Sequence, residues 1–160
     1  MKTAVDSNVL FDLLNNDPRF AGASQNALNQ AVSIGALVIC PVVYAELSIG
    51  FVADPTALDR FLAALGIDVE DFARSSLQQA AHAWSVYLRN RGQDVQCSRC
   101  GQRFSVTCPS CEANVVWRQQ MLPEVLIGAH ASVQADALLT RDRGKYTTYF
   151  PRLSLAIPIS

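Results

Sequence analysis

The chain has no uninterrupted apolar run approaching 18 residues, so nothing in the sequence reads as a transmembrane helix. The N-terminal stretch from Met1 to Asp6 lacks the apolar segment of a signal peptide, which makes a cytoplasmic location the expectation. There is no Gly-x-x-x-x-Gly-Lys loop, no Gly-x-Gly-x-x-Gly loop and no Gly-x-Ser-x-Gly elbow, and this sets aside the commonest nucleotide-binding and serine-hydrolase designs. Histidine is scarce. His82 and His130 are the two present, and neither belongs to a pair with ligand spacing. Charge is sparse as well, with 13 basic against 14 acidic residues and a formal net charge of −1, so gross electrostatic attraction to nucleic acid is not indicated. A locally basic surface remains compatible with that total.

Half of the 160 residues are hydrophobic, a composition that suits one globular domain with a sizeable core. The apolar pattern alternates between short strands and helices. Thr3–Val5, Ala36–Cys40, Ile67–Glu70, Ala137–Thr140 and Leu153–Ile157 read as strands. Helical spacing is expected after Ser7 or Asn8 (either of which could cap), from Ala23 to Ala31, after Pro41, after Pro55 as far as Gly66, from Phe72 to Leu88, and from Leu122. Alternation of this kind implies an α/β domain with a mostly parallel central sheet covered by helices in three layers. In such sheets, ligands gather beyond the carboxyl ends of the strands.

Four acids stand out against this frame. Asp6 directly follows the first strand, and Asp142 follows the strand ending near Thr140. Glu46 interrupts the apolar helical stretch from Val42 to Leu47, and Glu124 sits beside Pro123 in a first helical turn. Each has a structural alternative. Asp6 and Asp142 could cap, Glu124 could answer a helix dipole, and Glu46 could pair with an arginine. If the four converged, mutual repulsion would make them hard to ionise, and a hard divalent cation would remove that cost. Mg²⁺ or Mn²⁺ would suit such an oxygen-rich site and could activate water for phosphoryl transfer. Tyr146, Tyr149 and Phe150 are expected to pack beside the last strand, with base stacking as a further use for Tyr146.

Cysteine is concentrated in one segment. Cys97-x-x-Cys100 and Cys108-x-x-Cys111 form two pairs separated by seven residues, a spacing that suits a tetrahedral structural Zn²⁺. Iron or redox disulfides are the competing readings. A closed four-cysteine site has no vacant position and would not be the hydrolytic centre. The expected insert, residues 94–116, is zinc-ribbon-like, and it lies within a domain of residues 1–160. Residues 88–120 carry five arginines against two acids, so the region could touch phosphates or a partner, or be only a structural cap. Cys40 lies in an apolar strand and reads as a small buried hydrophobe.

Three segments in order, Ala4-Val5-Asp6-Ser7-Asn8-Val9-Leu10, Val43-Tyr44-Ala45-Glu46-Leu47 and the run from Leu122 through Leu138-Leu139-Thr140-Arg141-Asp142 to Tyr149-Phe150-Pro151, resemble the PIN-domain family and, within it, the VapC-type toxin ribonucleases. The likeness spans the chain apart from the cysteine segment. It implies a metal-dependent endoribonuclease whose four acidic positions are matched by Asp6, Glu46, Glu124 and Asp142. Glu124 stands where an aspartate is usual. Asn8 and Thr140 match polar positions beside the acids, suited to orienting a carboxylate or a metal-bound water. The resemblance further implies an RNA substrate, a neutralising antitoxin and a homodimer. Two alternatives remain: an RNA-maturation or quality-control nuclease of the same fold without an antitoxin, and a noncatalytic RNA- or protein-binding module.

Overall fold

The computed structural model describes residues 1–90, 94–96, 102–115, 121–142 and 144–159. In chain order the elements are β1 (Lys2–Val5), α1 (Ser7–Leu14), α2 (Ala21–Ile34), β2 (Ala36–Ile39), α3 (Pro41–Ser48), a 3₁₀ turn (Ile49–Phe51), α4 (Pro55–Ala64), β3 (Ile67–Val69), α5 (Arg74–Asn90), β4 (Val95–Gln96), β5 (Arg103–Phe104), α6 (Leu122–Gln134), β6 (Ala137–Leu139), α7 (Gly144–Tyr149) and β7 (Leu155–Ala156). The strands β3-β2-β1-β6-β7 form one sheet in that order, and all four pairings are parallel. The expected α/β architecture is therefore present.

This order positions the site. The chain builds β1, β2 and β3 outward to one side, then returns and adds β6 and β7 on the other side of β1. The strand order thus reverses between β1 and β6, where the flanking connections diverge and open a crevice at the carboxyl edge. Asp6 and Thr140 are the residues immediately after those two strands, and the backbone N–H of Asp6 still bonds the carbonyl of Leu139 at 2.9 Å.

Burial on both faces explains the strand sequences. Ala4, Val5, Leu37, Val38, Ile39, Leu138 and Leu139 are all buried, giving continuous apolar runs in place of the alternation of a one-sided sheet. The helices supply matching stripes, including Val9 and Leu10 from α1, Leu28 from α2, Leu58 and Leu62 from α4, and Val125, Ile127 and Ala131 from α6. Each fully buried Leu or Val contributes about 1.5–3 kcal/mol over its exposed state. Gly66 ends α4 at φ +66°, a left-handed conformation that favours glycine. Gly128 faces Phe150 so closely that an added Cβ would lie 2.4 Å from a ring carbon. Gln134, near the end of α6, accepts from Ser76 Oγ (2.6 Å) and the Ala73 N–H (2.8 Å), and it donates to the Asp71 carbonyl (2.9 Å), tying the start of α5 to α6.

Several boundaries differ from the sequence expectation. Neither Ser7 nor Asn8 caps α1. Asp6 occupies the cap position with extended backbone, φ −81° and ψ 147°, and its carboxylate makes no capping bond because β6 and α7 supply competing donors. The final strand is two residues long, since it pairs at the sheet edge only opposite Leu138 and Leu139. The helix expected from Phe72 starts at Arg74, after the backbone of Ala73 is taken by Gln134. Within the cysteine segment, β4 and β5 pair antiparallel, and Thr107 bridges Asn114 in a second small hairpin.

Candidate active site

Asp6, Glu46, Glu124 and Asp142 reach one cavity from four different elements: the end of β1, α3, the first turn of α6 and the loop after β6. The cavity has a volume of about 190 Å³, and Ser7, Asn8, Ile127, Lys145 and Tyr146 complete its described lining.

Asp6 is the most constrained member, only 5% exposed. Its Oδ2 accepts from Asn8 Nδ2 at 2.6 Å, Thr140 Oγ1 at 2.6 Å and Tyr146 Oη at 3.2 Å; Ser7 Oγ lies 3.4 Å from Oδ1, and the Ser7 backbone N–H also donates to the carboxylate. Burial pushes its pKa up, although the donors from Thr140, Tyr146 and Ser7 hold the rise back. Thr140 is the hub of this network. Besides donating to Asp6, its oxygen accepts from Asn8 Nδ2 at 3.1 Å and from the Asp142 backbone N–H at 3.0 Å. Asn8 Oδ1 in turn accepts from the Arg141 backbone N–H at 3.1 Å. Asn8 of α1 and Thr140, just beyond β6, therefore fix both the orientation of Asp6 and the backbone that carries Asp142.

Arg141 anchors the same loop from behind. Its Nε lies 2.9 Å from Oδ2 of the buried Asp12 as an ion pair, Asp12 accepts a hydrogen bond from Ser24 Oγ at 2.6 Å, and the guanidinium stacks 4.3 Å from the Phe20 ring centre. Asp12 is 3% exposed, so it depends on these partners.

Glu46 has a raised pKa, caused first by burial and then by repulsion from Asp6 and Glu124, against a lowering bond from Ser7. One carboxylate oxygen of Glu46 and one of Glu124, Oε2 in each case, is buried without a hydrogen-bond partner among the described residues. The other oxygen of Glu124 accepts from Lys145 Nζ at 2.5 Å, and the same ammonium lies 3.8 Å from Asp142 Oδ2. Burial disfavours the lysine's charge, yet the bond to Glu124 and the attraction of Glu124, Asp142 and Asp6 outweigh it and raise its pKa.

Buried carboxylate oxygens without donors are costly, and a hard cation is the group that would satisfy them. The donor set, all oxygen, fits Mg²⁺ or Mn²⁺. As positioned, no three His, Cys, Asp or Glu side chains among the described residues close on a common point. The ammonium of Lys145 lies against two of the acids, and Asp6 Oδ2 is committed to its three donors.

The sequence reading did not single out Lys145, and it read Ser7 as a possible helix cap and not as part of the cavity. Tyr146 requires a correction: it is 1% exposed, and its hydroxyl donates to Asp6, so its ring is not free to stack on a base. Positions three and four residues beyond Asp142 on a short helix were the available signal. His130 is buried edge-on to Phe72, with Glu70 3.7 Å away, and its pKa is lowered chiefly by burial. Cys40 is buried, as its apolar strand suggested. Of the cysteine pairs, Cys97 and Cys100 lie outside the described residues. Cys108 and Cys111 are free thiols on a turn in which the Cys108 carbonyl accepts from the Glu112 N–H at 2.9 Å and Glu112 adopts φ 56°. Backbone N–H groups of Ser110 and Cys111 directed at the Cys108 sulfur lower its pKa.

A parallel sheet with acids gathered at its switch point defines the class to which comparison then gives a name. The sequence pattern of the PIN domain matches residues 3–150, so the chain belongs to the PIN-domain family. No curated protein matches the chain in sequence. Among solved structures it is similar to VapBC2 from Rickettsia felis, bound to a DNA fragment from the promoter, with a TM-score of 0.65, 16% identity and 98% of each chain covered. It is also similar to VapBC-1 from nontypeable Haemophilus influenzae, with a TM-score of 0.59, 18% identity and 98% of each chain covered. A toxin–antitoxin complex from Klebsiella pneumoniae gives a TM-score of 0.55 and 15% identity, covering 99% of this chain and 98% of that one. At these identities the likeness establishes the shared fold. No helix among the described residues is long and apolar enough to cross a membrane.

Proposed function

We propose that the chain is a metal-dependent endoribonuclease of the VapC toxin type, which hydrolyses RNA phosphodiester bonds at Asp6, Glu46, Glu124 and Asp142. The observation carrying this reading is the meeting of four carboxylates from separate elements on one cavity, two of them with a buried oxygen that no group among the described residues satisfies. Membership of the PIN family and full-length likeness to toxin–antitoxin structures support the toxin assignment over a maturation enzyme.

The four acids would hold Mg²⁺ or Mn²⁺, which when bound activates water and offsets the charge of phosphoryl transfer. Asn8, Thr140 and Tyr146 fix Asp6 by one oxygen, while the hydroxyl of Ser7 lies 3.4 Å from the other. Thr140 also holds the Asp142 backbone, so the two strand-end acids keep their relation without reorganisation. The partners in this reading are RNA, a cognate antitoxin and a second copy of the chain, in the cytoplasm. Ile49 at the start of the 3₁₀ turn and Val52 just after it, exposed at 77% and 79%, offer apolar surface for a protein contact.

Cys97, Cys100, Cys108 and Cys111 would hold a structural Zn²⁺ in an insert of residues 94–116. Support comes from the tight Cys108–Glu112 turn, whose amides already favour the thiolate of Cys108. Zinc content by plasma emission should fall in Cys108→Ser, and undiminished zinc would remove the ligand assignment. The function itself is tested by sequencing the ends of cellular RNAs after expression of wild type and of Asp6→Asn. New ends confined to wild type are expected, and identical end profiles would overturn the reading.

A further inference from the structure

Lys145 is the cationic side chain among the described residues that line the acid cavity. It enters from the first turn of α7, and its own backbone N–H donates to Asp142 Oδ1 at 3.3 Å, which fixes the base of the side chain beside that acid. Its ammonium then reaches back to Glu124 Oε1 at 2.5 Å and stays 3.8 Å from Asp142 Oδ2. The lysine therefore lies against two of the four carboxylates assigned above to the divalent ion.

We infer that Lys145 is an exchangeable counter-ion built into the site: it holds Glu124 and Asp142 together in the metal-free protein, and it is released toward the RNA phosphate when a divalent cation takes those carboxylates. This rests on the endoribonuclease reading. Three observations carry it. The carboxylate oxygen bonded to Lys145 is not free for a cation, while the second oxygen of Glu124 is buried without a partner. The same ammonium lies 3.8 Å from Asp142 Oδ2, so it stands against a second carboxylate of the cavity. The side chain is 43% exposed, so it can turn from the acids to the cavity mouth without opening the core. A phosphodiester brought to four carboxylates needs such a charge, because like charges at this range repel.

The test uses the full chain stripped of metal, with Lys145→Met and Lys145→Arg as variants and circular dichroism to check folding. Mn²⁺ affinity is measured by isothermal titration, and single-turnover cleavage of one end-labelled RNA is measured at saturating Mn²⁺. Loss of the competitor should tighten Mn²⁺ binding in Lys145→Met about tenfold, the equivalent of ~1.4 kcal/mol. Cleavage should nevertheless slow by about 10–100-fold, and Lys145→Arg should stay near wild type in Mn²⁺ affinity. Unchanged or weaker Mn²⁺ binding in Lys145→Met would overturn the exchange, and undiminished cleavage would overturn the phosphate contact. If Lys145→Met does not fold, Lys145→Arg decides: a cleavage rate near wild type supports the inference, and a hundredfold loss with intact Mn²⁺ binding contradicts it. A wild type that neither binds Mn²⁺ nor cuts RNA would instead sink the underlying endoribonuclease reading.

Discussion

Replacing Thr140 by Val keeps the β-branched shape and removes one oxygen, so it isolates what that hydroxyl does. Thr140 is fully buried, and its oxygen makes three bonds: to Asp6 Oδ2, from Asn8 Nδ2 and from the Asp142 N–H. A hydrogen bond to a charged group is worth about 1.5–3 kcal/mol net, and a buried donor left unsatisfied costs about 1–3 kcal/mol. Asn8 Nδ2 retains its bond to Asp6, so the orphan is the Asp142 amide. That amide sits in a partly exposed loop, which places its cost at the low end. Together these give a loss of ~2–4 kcal/mol, read as a reduced urea midpoint at unchanged slope in metal-free protein. Cleavage should fall further than stability explains, because Asp6 and Asp142 lose their shared reference point. A change below about 0.5 kcal/mol with normal cleavage would refute the hub role.

Two other substitutions probe separate parts of the account. Glu46→Gln removes a carboxylate whose pKa is raised above 4.5, chiefly by burial, so the metal-free wild type loses stability as pH rises through that raised value and keeps it below the unfolded value. At pH 7 the metal-free variant should melt above wild type, the advantage should vanish near pH 4, and a gain that grew on acidification would reverse the sign of the reasoning. Gly128→Ala would bring a methyl group 2.4 Å from the buried ring of Phe150 and should destabilise by about 1–3 kcal/mol in thermal melts, whereas an unchanged melting temperature would mean that the ring yields freely.

The sheet was legible because each strand is a short apolar run with a breaker behind it, and a strand buried on both faces needs no alternation. Asp6 and Asp142 could be placed for the same reason: a polar residue within a few positions after such a run falls at the carboxyl edge. Glu46 was visible as an acid without an apolar reason to be there. The contacts that organise these acids were not legible. Tyr146 reaches Asp6 across 140 positions, and Lys145 reaches Glu124 across 21, because α7 folds back over the cavity, and no periodicity in a six-residue helix reveals that direction. Asp6 looked like a possible helix cap. Its carboxylate instead turns toward Thr140 and Tyr146, a choice set by β6 and α7 and not by its neighbours in sequence.

The central claim is that the four acids, acting together, cut RNA with the help of a divalent ion. Asp142 tests it most directly, since its side chain is 33% exposed and Asp142→Asn changes charge with little change of volume or packing. Single-turnover cleavage of an end-labelled RNA should proceed for wild type with Mg²⁺ or Mn²⁺ and stop on chelation. For folded Asp142→Asn it should be slower by about a hundredfold or more, the scale of losing one ligand or charge partner in such a site. Equal rates for wild type and Asp142→Asn, or cleavage that persists after chelation, would contradict the account.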